Sequence, residues 1–145
     1  MVEEYLPFFV YGTLRPRDYN YMIFLQKRTE KEETGFTLEG IELYDLGAYP
    51  MVREVQDKNK VVTGDLITVP VDIYPDVLAN IDMLEDYMPG REDNHYCREI
   101  REVKGADGSS RRAWIYMGDE VYFKNLTPSP VLIEHGDWLL WKQSK

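Results

Sequence analysis

The chain has 145 residues, 43% of them hydrophobic and 13% aromatic, which suits one globular domain with a real core and excludes a disordered chain. Its formal charge of −9, with no cluster of Lys or Arg, excludes a nucleic-acid backbone as partner, and no apolar run is long enough to span a bilayer. Cys97 is the one cysteine, so no internal disulfide forms and a reducing cytoplasm is expected; the stretch around Glu3 and Glu4 lacks the apolar segment of a secretion signal.

In chain order, Phe8, Phe9, Val10 and Tyr11 form a short apolar run rich in β-formers, predicting a buried strand that Gly12 ends. Gly12 permits close approach of another group, and Pro16 cannot continue a ladder. A core strand therefore runs into a tight loop with successive N–H groups, an arrangement able to hold a carboxylate or an oxyanion. Asp18 and Asn20 bracket a turn, and Tyr21, Phe24 and Leu25 have the spacing of a short helix. The charged stretch from Arg28 to Thr34 reads as an exposed loop. Strands are expected over Phe36 to Leu46, Tyr49 to Val55 and Val61 to Val69, with Gly64 inside the last marking a bulge or a close approach.

Asp72 to Tyr87 is the clearest helix, with Asp72 as its cap, Pro75 in its first turn, and Val77, Leu78, Ile81, Leu84 and Met88 as one apolar stripe. A polar loop follows from Met88 to Asn94. Tyr96 to Lys104 is a further strand, Asp107-Gly108 marks a hairpin turn, and Ala113 to Met117 is a buried strand. The tail from Asn125, with Pro128, Pro130, Trp138 and Trp141, reads as irregular and packed on the body. Six strands with two helices predict a small α+β domain, mostly antiparallel and closed into a barrel or sheet.

Glu85 is the most informative residue. At about 100° per residue it projects between Ile81 and Leu78, whereas Asp76, Asp82 and Asp86 fall outside the apolar arc. A carboxyl group in an apolar stripe tends to hold its proton, which suits general acid–base chemistry near neutral pH. The same position is also explained by a structural pair with Arg98 or Arg101, or by a structural cap. Other constellations are weaker. His95 and Cys97 share a strand face, so a thiol–imidazole pair is conceivable. Two histidines and one cysteine, scattered, make no metal site, and Gly12 stands without the other glycines of a nucleotide-binding fingerprint. Tyr11, Tyr87, Tyr96 and Tyr116 can present hydroxyls to a pocket or serve only the core.

Tyr11-Gly12-Thr13-Leu14-Arg15 and Asp82-Met83-Leu84-Glu85-Asp86-Tyr87 form a recognisable pair. With Gly47-Ala48-Tyr49-Pro50, Val62-Thr63-Gly64-Asp65-Leu66, Tyr96-Cys97-Arg98 and Ala113-Trp114-Ile115-Tyr116, the chain resembles the γ-glutamylcyclotransferase-like (AIG2-like) family over most of residues 6 to 117. The resemblance implies a compact β-barrel with flanking helices and a surface pocket. It implies cleavage of a small-molecule γ-glutamyl amide by intramolecular cyclisation, giving 5-oxoproline and a free amine. Carried over by motif, Glu85 is the acid–base residue. Tyr11, Gly12, Thr13 and Leu14 form the substrate-binding loop, Tyr116 lines the pocket, and Asn20 matches an asparagine that follows the loop. No metal or organic cofactor is implied. The 88–94 loop and the tail from Asp119 exceed the core motif and bear on the leaving-group side. Two readings from other classes remain beside the enzyme: a non-catalytic module that binds a small carboxylate in the same pocket, and a hydrolase using Cys97.

Overall fold

The computed structural model describes residues 5–15, 18, 20–21, 25–47 and 49–144. Eight strands are seen among them: β1 (Phe8–Val10), β2 (Lys31–Glu39), β3 (Ile41–Asp45), β4 (Pro50–Glu54), β5 (Val61–Thr68), β6 (Tyr96–Lys104), β7 (Ser110–Gly118) and β8 (Val131–Ile133). Three α-helices accompany them: α1 (Tyr74–Leu84), α2 (Glu120–Lys124) and α3 (Trp138–Gln143). Strands β1, β5, β2, β6 and β7 close into a barrel in that order, and β4, β3 and β8 form a separate three-stranded sheet. All neighbours run antiparallel except β1 and β7, which close the barrel in parallel at Phe8 and Trp114. This is the expected α+β barrel. No helix among the described residues is long and apolar enough to cross a membrane.

Strand alternation divides the buried residues into two cores. Phe9, Leu38, Val62, Leu66, Val103, Ala113, Ile115 and Met117 pack on one side, with Ile133 and Trp138 from the C-terminal segment. Phe8, Val10, Ile67, Trp114 and Tyr116 turn to the other, where Val77 and Ile81 of α1 meet them. Gly64 sits where β5 passes β1 most closely: a Cβ there would lie 2.5 Å from the Val10 carbonyl oxygen and 2.8 Å from the Phe9 ring. The close approach expected of a glycine inside that strand is what is found.

Several boundaries differ from the sequence expectation. Lys31–Thr34, expected as an exposed loop, begins β2, because Lys31, Glu32 and Glu33 pair with Thr68, Ile67 and Leu66 of β5. The apolar side of that pairing is supplied by the partner strand, so a charged run hides it. The single strand expected from Phe36 to Leu46 is two, broken at Gly40, whose φ of +78° turns the chain out of the barrel and into the second sheet. Asp72 does not cap a helix. It lies in a 3-10 turn (Val71–Ile73), and Ile73 occupies the N-cap of α1 without a side-chain bond; Pro75 keeps its place in the first turn. Helix α1 ends at Leu84, Asp86 takes φ +53°, and Met88 is exposed rather than on the stripe. The tail is not irregular, since it carries β8 and α3. Pro16, Phe24 and Ala48 lie outside the described residues; beside Phe24, the Leu25 N–H donates to the Tyr21 carbonyl at 2.9 Å.

The loop after β1 is anchored by a buried cation. Arg15, 6% exposed, donates from Nε to Asp65 of β5 at 2.8 Å and from a terminal nitrogen to Asp137 at 2.9 Å. Asp137 is the N-cap of α3 and accepts the Leu139 and Leu140 N–H groups on the same oxygen. Buried Asp18 accepts the Trp138 indole N–H at 3.1 Å and the Lys142 ammonium at 2.9 Å. Trp141 donates to Asp45 of β3 at 2.8 Å. One short helix thus ties the loop, the barrel and the second sheet together.

Breaking this anchor from the cationic side should be costly. Arg15→Met leaves the Asp65 carboxylate buried without its guanidinium, and loss of one partner of a buried pair typically costs about 3–5 kcal/mol. Urea denaturation should show a fall of that order, with Arg15→Lys recovering part of it; an unchanged midpoint for Arg15→Met would contradict the anchoring role.

Candidate active site

A cavity of about 300 Å³ opens between the loop after β1 and the end of α1. Tyr11, Gly12, Thr13, Leu14 and Asn20 form one wall, Leu84, Glu85 and Asp86 another, and Tyr49, Pro50, His95, Tyr96 and Tyr116 complete it.

Each wall is fixed by local physics. Tyr11 is buried at the end of β1, and its hydroxyl donates to the Tyr116 carbonyl at 2.7 Å, tying the loop entrance to β7. A Cβ at Gly12 would lie 2.5 Å from Cγ of Pro50, so only glycine lets the first residue of β4 pack there. The Arg15 N–H donates to the Gly12 carbonyl at 2.9 Å and closes the turn. The Thr13 hydroxyl accepts from the Asn20 amide at 2.6 Å, and the Thr13 carbonyl accepts the Tyr21 N–H at 3.1 Å. Tyr96 reaches across to donate to the Pro50 carbonyl at 2.8 Å.

Glu85 follows the last residue of α1 as its C-cap, with its N–H donated to the Ile81 carbonyl at 3.0 Å. Glu85 is half-buried and lines the cavity. Burial, and then the negative charge of Asp82, raises its pKa from the usual 4.5 to about 8. The arginines considered as structural partners are engaged elsewhere. Arg98 donates to Asp82 at 2.9 Å, and Arg101 to Glu54 at 2.8 Å and Glu99 at 2.5 Å. None of the described residues lining the cavity is a lysine or an arginine, so a proton is the natural counter-charge for Glu85.

Burial also lifts the hydroxyls of Tyr11, Tyr96 and Tyr116 well above their ordinary value, so all three stay protonated. Tyr116 donates its proton to Asp82 at 2.5 Å and can turn only its oxygen lone pairs to the cavity. Tyr87 is not part of the wall; its ring meets that of Tyr116 edge-on, 6.5 Å between centroids.

The thiol–imidazole pair is not set up for nucleophilic chemistry. His95 stacks on Tyr122 at 4.0 Å, and its Nε2 lies 3.5 Å from Asp86. Burial and the nearby charges of Asp119 and Glu99 push the Cys97 thiol up, away from the reactive thiolate. Among the described residues no three His, Cys, Asp or Glu side chains converge as metal ligands.

The structure therefore brings Glu85, Tyr11, Gly12, Thr13, Leu14 and Tyr116 to one cavity. Sequence reasoning passed over Asp82, because it lies off the apolar stripe. The available signal was its spacing: one turn before Glu85, on the side that a cation from β6 can reach.

Residues 8–140 match the family described as "Gamma-glutamyl cyclotransferase, AIG2-like". A Halalkalibacterium halodurans protein named "Putative gamma-glutamylcyclotransferase" is 35% identical over 104 residues, 71% of this chain and 82% of that one. The fold is shared with an AIG2-like protein from Mus musculus at TM-score 0.64 and 20% identity, covering 92% of this chain and 87% of that one. It is shared with YkqA from Bacillus subtilis at TM-score 0.65 and 20% identity, covering 97% of this chain. This chain spans only 43% of the YkqA chain. At such identities the two structures speak for the fold alone.

The raised carboxyl group has a signature in stability. Between about pH 4.5 and pH 8 the unfolded chain has released the Glu85 proton while the folded chain still holds it. Folded protein binds more protons there, so this group's contribution to stability is full below the window and is lost as pH rises through it. Glu85→Gln removes the titration. Its stability advantage over the parent should grow from about pH 5 to pH 8 and then level off. Denaturation at a series of pH values reads this, and a constant difference would place the carboxyl in water.

Proposed function

Because the chain belongs to the gamma-glutamyl cyclotransferase, AIG2-like family, we propose that it releases 5-oxoproline and a free amine from a small γ-glutamyl amide, with Glu85 as the general acid–base. The observation that carries this reading is a carboxyl group of pKa about 8 on the opposite wall from the Tyr11–Leu14 loop, in a cavity with no lysine or arginine among its described lining residues.

In this reaction the substrate's own α-amine attacks its γ-carbonyl and closes a five-membered ring. The nucleophile is already attached, so what is needed is a folded substrate conformation and a route for two protons of the α-nitrogen. The α-ammonium must lose one of them first. An α-amino group has a pKa of about 8, matched to Glu85, so transfer between them costs little in either direction. The new C–N bond forms as the carbonyl oxygen takes up charge, and N–H groups of the Gly12–Leu14 turn are suited to meet it. The amide C–N bond then breaks as Glu85 gives its proton to the departing amine, and the freed Glu85 carboxylate takes the second proton from the ring nitrogen and passes it to the released amine, which leaves as an ammonium. The bond and proton changes balance without a further reactant. Tyr116, restricted to accepting, suits the substrate ammonium. Thr13 and Asn20 add polar atoms on the loop side.

Glu85→Gln keeps the shape and hydrogen-bonding capacity and removes the proton transfer. Release of 5-oxoproline should fall by about 10² to 10⁴-fold, with the fold retained. Undiminished turnover would refute the role of Glu85. Tight binding of a γ-glutamyl amide with no 5-oxoproline from the unmodified chain would favour the non-catalytic carboxylate-binding module.

A further inference from the structure

Asp82 is an acidic side chain close to Glu85 that the proposed chemistry leaves unused. It sits three residues before Glu85, a spacing that puts two side chains on neighbouring positions of a helix face, about 5–6 Å between Cβ atoms. Both its oxygens are occupied: one accepts the Tyr116 hydroxyl at 2.5 Å, the other the Arg98 guanidinium at 2.9 Å. Arg98 cannot swing away freely, since its guanidinium lies over the Trp114 ring at 4.5 Å and the Tyr87 ring at 5.5 Å. Burial raises the Asp82 carboxyl, and two donors, the Tyr116 hydroxyl and the Arg98 guanidinium, draw it back towards the charged form and fix its position.

Resting on the cyclotransferase reading, we propose that Asp82 is a positioning residue: held by Arg98 and Tyr116, its fixed negative charge sets the pH at which Glu85 exchanges its proton.

Among the described groups around Glu85, Asp82 is the charge that bears on it. Tyr11 from the end of β1, Tyr96 from β6 and Tyr116 from β7 share the cavity with it and are neutral over the relevant range because burial raises each of them. Asp86 also lines the cavity, but it is paired with Arg91 at 3.0 Å and faces His95 at 3.5 Å, at the more exposed rim. The charge of Asp82 acts on Glu85 in the same sense as burial. Arg98, beyond Asp82, offsets part of that charge. Removing either partner therefore moves Glu85 in opposite directions: without the carboxylate Glu85 ionises more readily, and without the cation less readily. A role confined to holding α1 in place has no reason to produce opposite signs.

The test uses the full chain labelled with ¹³C at the carboxyl carbons, with Glu85 assigned by its loss in Glu85→Gln. In Asp82→Asn the Glu85 midpoint should fall by about one pH unit. In Arg98→Gln it should rise, on the order of half a unit. The acid limb of kcat/KM for 5-oxoproline release should move with the midpoint in each variant. The unmodified chain supplies an arm that needs no variant: the Asp82 carboxyl signal should show a second inflection at the Glu85 midpoint, because coupling is mutual. If Asp82→Asn fails to fold, the sign in Arg98→Gln and that inflection decide. An unmoved midpoint in a folded variant, or shifts of the same sign in both, would overturn the proposal. Turnover without these shifts would leave the cyclisation standing and remove Asp82 from it; shifts without turnover would do the reverse.

Discussion

The guanidinium of Arg15 is the point on which the site's geometry depends. It follows directly on the Tyr11–Leu14 turn and is pinned on one side to a barrel strand through Asp65 and on the other to the cap of α3 through Asp137. Tyr11 and Leu14 anchor the two ends of the turn in the cores, but Gly12 and Thr13 between them bring little apolar surface, so part of its hold must come from elsewhere. Here it comes from a buried ion pair whose components lie 50 and 122 residues away in sequence. Burial alone would lift the Asp65 carboxyl, and Arg15 pulls it back towards the charged form. The arrangement gives the loop a rigid rear face, and the front face is left for a ligand.

The cavity shows the complementary principle. At its rear, Arg15 is paired with Asp65 and Asp137; at its wall, one carboxyl group has no cation among the described residues that line the cavity. Arg98 and Arg101 both approach from β6, yet each bonds other carboxylates. Glu85 is consequently a group whose protonation is moved into the neutral range by its surroundings, through burial and the charge of Asp82. In the proposed reaction the substrate brings its own nucleophile, so none is required of the protein. That is why the reactive-looking His95 and Cys97 can be spent on packing: one stacks on Tyr122, and the other keeps its proton.

Much of this was legible in the sequence wherever the signal is local. The apolar run at Phe8, the turn glycine at Gly12, the strand from Tyr96 to Lys104 and the hairpin at Asp107-Gly108 are short-range features, and they appear where periodicity and turn chemistry put them. Glu85 was visible because a carboxylate interrupts an apolar stripe. The misses share a different origin. Lys31–Thr34 carries charged side chains on a strand whose apolar complement belongs to β5, so its own pattern is silent. The C-terminal strand and helix are too short to show a period, and both are stabilised by partners far away in sequence: Leu43 for Ile133, Asp18 for Trp138 and Lys142. Asp82 was set aside by the very wheel that singled out Glu85, since a helical wheel reports burial against the core and says nothing of a cation arriving from a neighbouring strand. The family resemblance reached the cavity because it joins motifs that periodicity treats separately.

The central claim is that the chain's chemistry is internal cyclisation and not hydrolysis. The two differ in whether water enters the product. The most direct measurement is mass spectrometry of the products formed from a panel of γ-glutamyl amides in ¹⁸O-labelled water. The account predicts 5-oxoproline without incorporated label, together with the free amine, and no reaction of amides whose α-amine is acetylated. Labelled glutamate as the product, or equal turnover of the acetylated amides, would contradict it.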